Sequence, residues 1–248
     1  MDLEIIVTSV AEAIQAEKFG ATRLELIDSF YLGGCSPSLS LSREVASAVQ
    51  IPVNVMVRPH GVGFNLSEND MSIVLHEIEY LLANTKVNGI VFGSLTVQGN
   101  INFKQLDAVS DLLCNSNRCL TFHRAIDATS NIQNNFYDLV QYSLTNNILT
   151  SVLTSGGYPS AINGLNNIKY LNNLIAILQS KLKIIIGSGI TLDNIDYILQ
   201  DFMVNDIHLG RGVRDDQDKF LVKNFEYLRQ VIKIKSKQQH CDLHQISN

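Results

Sequence analysis

The sequence contains no tryptophan, four prolines and four cysteines, and only 17% of its residues are charged. Cys35, Cys114, Cys119 and Cys241 are scattered in a chain too large to need covalent staples, so a disulfide scaffold is excluded and reduced thiols are expected. No apolar run approaches the ~20 residues of a membrane-spanning helix. The N-terminal "MDLEIIVTS" carries an acid where a secretory leader carries a basic segment. Lysine and arginine are dispersed and the net charge is −5, which argues against a nucleic-acid partner. These absences lead to the expectation of a cytoplasmic protein with neither a nucleic-acid nor a membrane partner.

What the chain has is apolar residues, 46% of the total and enough for a large core. They fall into eight short runs: "LEIIVT", "TRLELI", "PVNVMV", "NGIVF", "RCLTF", "TSVLT", "KIIIG" and "NDIHLG". Each is nearly continuous in apolar character and ends near Gly, Pro, Ser or His, as buried parallel strands do. Helical periods lie between them. Ser9 and Glu12 have capping-box spacing with Gly20 as a stop, Ser67 and Asp70 open another helix, and Ile162 begins a third. The stretch from Phe220 to Ile234 completes the count.

Eight strands alternating with helices predict an α/β fold, a single (β/α)₈ TIM barrel over residues 1–235, with residues 236–248 as a polar tail. An open doubly wound sheet is the alternative.

In such barrels the working groups stand at the C-terminal strand ends. Strand alternation puts Glu4, Glu25, Arg58, His123 and His208 toward the lumen, where burying five such groups is better explained by a site than by a core. "TFHRAID" adds Arg124 and Asp127. In "RPHGVGF", Arg58 and His60 flank a rigid proline, and the glycines after it allow close approach to a ligand. "IIIGSGI" (Gly187, Ser188, Gly189) and "HLGRG" (Gly210, Arg211) follow the last two strands, the usual phosphate position of this fold.

Taken in order, "LGGCSPSLSL", "RPHGVGF", "TFHRAID", "LTSGG" and "IIGSGI" resemble the CutC family of copper homeostasis proteins over about residues 2–212. The resemblance implies a cytosolic TIM barrel, assembly as a homodimer or higher homo-oligomer, and copper, Cu(I), as ligand. Its polar motif positions fall on Glu4, Glu25, Arg58, His123, Arg124, Asp127, Ser155 and His208, with Gly156 beside Ser155 in "LTSGG". This chain departs from the family in the first strand, where Ile6 and Val7 stand in place of a commonly found cysteine. Cys35 is the one candidate metal thiol, and His240, Cys241 and His244 of the tail form a minor one.

The residues themselves suit another reading. Glu4 or Glu25 serves as general base with His123 or His208 as its acid, Arg58 and Arg124 hold a carboxylate or phosphate, and Asp127 orients Arg124 or His123. That array suits isomerase, aldolase, lyase or hydrolase chemistry on a small anionic metabolite; no lysine offers itself for a Schiff base. A barrel that only binds or senses such a ligand is a third reading.

Overall fold

The eight apolar runs form eight strands because Val, Ile, Leu and Phe there are buried on the face turned to the helices while the alternate positions turn inward. The computed structural model describes residues 2–200, 206–217 and 219–232. The strands are β1 (Asp2–Val7), β2 (Arg23–Leu26), β3 (Val53–Met56), β4 (Gly89–Phe92), β5 (Cys119–Phe122), β6 (Leu149–Thr154), β7 (Lys183–Ile186) and β8 (Asp206–Leu209). Neighbours pair in parallel, and β8 returns to β1, closing the barrel.

Around it lie α1 (Val10–Lys18), α2 (Leu39–Ala48), α3 (Glu68–Asn84), α4 (Phe103–Leu113), α5 (Ile132–Thr145), α6 (Leu165–Ile177), α7 (Ile195–Gln200) and α8 (residues 222–232). No described helix is long and apolar enough to cross a membrane. The tail, with His240, Cys241 and His244, lies outside the described residues.

Ser67 starts α3 with a complete capping box: its hydroxyl accepts from the Asp70 N–H, and the Asp70 carboxylate accepts from the Ser67 N–H. Ser9 caps α1 in the same way from its own side, but Glu12 does not reciprocate. Its carboxylate accepts instead from the Thr8 N–H and from Arg214 beyond β8, which clamps the barrel's last loop onto its first helix.

The main core fills the shell between strands and helices, with Ile5, Leu24, Ile90, Phe122, Val152 and Ile184 against the inner helix faces. Each such side chain, fully buried, contributes roughly 1.5–3 kcal/mol. The lumen differs. A small apolar cluster of Ile27, Met56 and Val91, with Ile6 and Phe30 against it, is separate from the main core. Below it the interior is polar, with Glu4, Glu25, Asn54, Thr121, Asp206 and His208 all buried.

Candidate functional site

Strand register assembles the polar tier. Glu4 on β1 is level with Arg23 on β2 and His208 on β8, while Glu25 stands one step higher, level with Ile6. The Glu4 carboxylate accepts from Arg23 Nε at 2.5 Å, and its other oxygen meets His208 Nδ1 at 2.8 Å. Arg23 also donates to Asp206, 3.2 Å away. Burial alone would push the Glu4 carboxyl up, but Arg23 and His208 outweigh it and hold it at about 2. Burial likewise opposes charge on His208, and Glu25 and Glu4 overcome it, raising the imidazole.

Glu25 has no such support. His208 Nε2 lies 3.7 Å from Oε2, too far for a hydrogen bond, and Oε1 is buried without a partner. Burial therefore pushes its carboxyl up to about 7. Glu25 and His208 line a cavity of about 660 Å³ at the C-terminal mouth of the barrel, whereas Glu4 lies beneath it.

Arg58 and His123 line the same cavity and flank one aromatic ring, Phe64. The guanidinium carbon sits 4.7 Å from its centroid and the imidazole centroid 5.2 Å. Arg58 donates to the carbonyls of Leu32, Gly34 and Gly63, while its Nε has no partner. No carboxylate pairs with this buried cation among the described residues. His123 accepts at Nδ1 from the Ala125 N–H, which puts the proton of the neutral ring on Nε2; that atom too is buried without a partner. Burial, then the Arg58 charge, holds the imidazole down at about 3, so it is neutral at pH 7. Gly93 makes room for it, since a Cβ there would come within 2.6 Å of His123 Nδ1.

Other expected site residues are placed differently. Asp127 accepts from Arg124, Thr154, Ser155 and the Gly157 N–H, and Arg124 also donates to Ser155. Asp127 and Arg124 border the mouth, where the Asp127 carboxylate and Arg124 Nε and Nη2 pin the turn after β5 onto the loop after β6. Ser155 and Gly156 are buried in that loop and do not line the cavity; a Cβ on Gly156 would strike the Gly164 carbonyl. His60 points away, to Asp70 at the start of α3, 3.4 Å distant.

Ser188, Gly189, Gly210 and Arg211 line the mouth, while Gly187 does not. Gly187 and Gly210 are small because Leu153 and His208, and Ile6 and Phe30, pack against them. Close packing thus accounts for Gly187 and Gly210, while Gly189, with a φ of +67°, lines the mouth. Two supports escaped that reading. Arg23 and Asp206 stand two positions before Glu25 and His208, so alternation puts them on the same face, but the bonds of Arg23 to Glu4 and to Asp206 depend on register. Phe64 ends "RPHGVGF" and gave no signal of what it would hold.

The CutC family model matches residues 1–213. The chain belongs to the CutC family. Curated relatives include the mouse copper homeostasis protein cutC homolog, 36% identical over 221 residues, covering 88% of this chain and 76% of that protein. The human homolog is 35% identical over the same length and with the same coverage. A CutC crystal structure from Streptococcus agalactiae superposes with a TM-score of 0.73 at 24% identity, over 84% of this chain and 97% of that one. Phosphoribosyl anthranilate isomerase from Thermus thermophilus reaches 0.62 at 13% identity, over 94% and 98%, a likeness of fold alone.

The CutC name brings copper, and the side chains of the described residues fit Cu(I) poorly. Cu(I) favours converging thiolates or thioethers. Cys35 is buried behind the mouth in a bridge to Asp28, its thiol pushed up by burial; Cys114 is exposed elsewhere, and Cys119 borders the opposite end of the lumen. Ligand atoms of Glu4, Glu25 and His208 do lie within 4.8 Å of one another. Glu4, however, is held by Arg23 and His208, which leaves one oxygen and one nitrogen donor, with the Met56 thioether as the single sulfur lining the same mouth among the described residues.

Proposed function

We propose that the barrel mouth of this CutC family member binds a small anionic metabolite at Arg58 and His123 and moves a proton on it with Glu25 and His208. One observation carries this reading: Arg58 is a buried cation that lines a cavity with no carboxylate beside it. A buried charge is costly unless something balances it, and a bound anion would do so. His123, held neutral, offers its Nε2–H to the same anion without adding a competing base. Glu25 titrates near the working pH, as a general base should, and His208 faces it to take or return the proton.

Copper handling is the role that the relatives' printed name suggests, and the donor chemistry above supports it less well. A single comparison separates the two. In the anion reading, carboxylated or phosphorylated compounds raise the melting temperature of the wild type, Arg58→Gln abolishes the shift, and a high-affinity chelator strips Cu(I) from both proteins. Retention of Cu(I) at defined stoichiometry, with Arg58→Gln without effect, would sink the proposal in favour of copper.

A further inference from the structure

The chemistry of the mouth narrows its ligand further. We infer that it takes a monocarboxylate bearing an aromatic or branched aliphatic body, rather than a phosphate or a very small acid. The inference rests on Arg58 being the anion anchor.

The head group follows from the donors. Arg58 spends three hydrogen bonds on backbone carbonyls and keeps Nε free; His123 keeps Nε2 free. Two unpartnered donors match the two oxygens of a carboxylate. A dianionic phosphate has a third oxygen to satisfy and more charge to balance, and the neighbouring acid, Glu25, would repel it once ionised.

The body follows from the apolar lining. Ile6, Ile27, Phe30, Met56, Leu153 and Ile190 all line the cavity. Ile27 and Met56 belong to the cluster cut off from the main core, so they add little to the shell's packing. At the rim, Tyr31 is 75% exposed, Tyr158 46% and Leu32 45%. Apolar surface gathered around a polar anchor is characteristic of a ligand pocket. A cavity of about 660 Å³ is also much larger than a two- or three-carbon acid needs. Burying one added ring against this wall is expected to tighten binding by about tenfold or more.

The test is calorimetric titration of the full chain with acetate, 3-phenylpropionate, 3-phenylpropanol and inorganic phosphate. The expected order is 3-phenylpropionate at least tenfold tighter than acetate, with phosphate weaker than either acid and the neutral alcohol failing to bind. Tyr31→Ala and Tyr158→Ala, at exposed positions that do not endanger folding, should weaken 3-phenylpropionate alone. Arg58→Gln should remove both acids, and Arg58→Lys, which keeps the charge, should recover part of the binding. Equal affinity for the two acids overturns the apolar body while the anion anchor stands. Phosphate binding tightest overturns the carboxylate head, again with the anchor intact. Acids that do not bind the wild type, or that bind Arg58→Gln unchanged, remove the anchor and this inference with it.

Discussion

Two glutamates stand one register step apart in the lumen, and their surroundings drive their protons in opposite directions. Glu4 has Arg23 and His208 to balance its charge; Glu25 has only a distant imidazole. In the unfolded chain both titrate near 4.5, so Glu25 has its pKa raised by folding. The stability associated with its protonated form is therefore fully present below pH 4.5 and is lost as the pH rises through about 7. His208, also raised, adds a loss of the same sign. Glu25→Gln should flatten this slope, gaining on the order of 2 kcal/mol relative to wild type between pH 5 and pH 8 in urea melts. An unchanged slope would mean that Glu25 ionises freely. Strand alternation made Glu4, Glu25, Arg58, His123 and His208 legible as one inward set, because facing depends only on position along a strand. Their division of labour was not legible. It depends on which side chains meet across the barrel, as Glu4 meets His208 at a separation of 204 residues.

At the level of elements, Asp127 does the work of a rivet. Its two oxygens accept from the turn after β5, the end of β6 and the loop beyond. Asp127→Ala would leave the buried Thr154 hydroxyl and Ser155 N–H without their acceptor, so a loss of about 3 kcal/mol is expected. Hydrogen exchange should quicken first in residues 124–128 and 155–160. A uniform loss of protection would instead assign Asp127 a global role. Strands were the easiest elements to read, since their helix-facing positions are almost all apolar and Gly, Pro, Ser or His follows each run closely. Helix α2 was harder: Ser40, Ser42 and Ser47 interrupt its apolar period, although Ser42 is buried and bonded to the carbonyl of Ser38, the residue that caps the helix. The glycine turns after β7 and β8 could not be apportioned, because a glycine needed for close packing looks the same, in sequence, as one needed for a ligand.

For the whole molecule, the polar tier at the bottom of the lumen ties the first strands to the last. Glu4 and Arg23 lie near the N-terminus, while Asp206 and His208 arrive with β8. A chain ending before β8 would bury Glu4 and Arg23 without two of their partners, so it should remain loosely packed. The expected signature is native-like far-UV circular dichroism with a collapsed near-UV signal and strong dye binding. A cooperative melt from that truncated chain would show that β1 to β7 can close without the ionic tier. During synthesis the same arrangement has a consequence for unfinished copies. Until the eighth strand emerges, the charges of Glu4 and Arg23 lack His208 and Asp206, so a copy stopped at β7 is expected to be cut by a protease faster than the full chain.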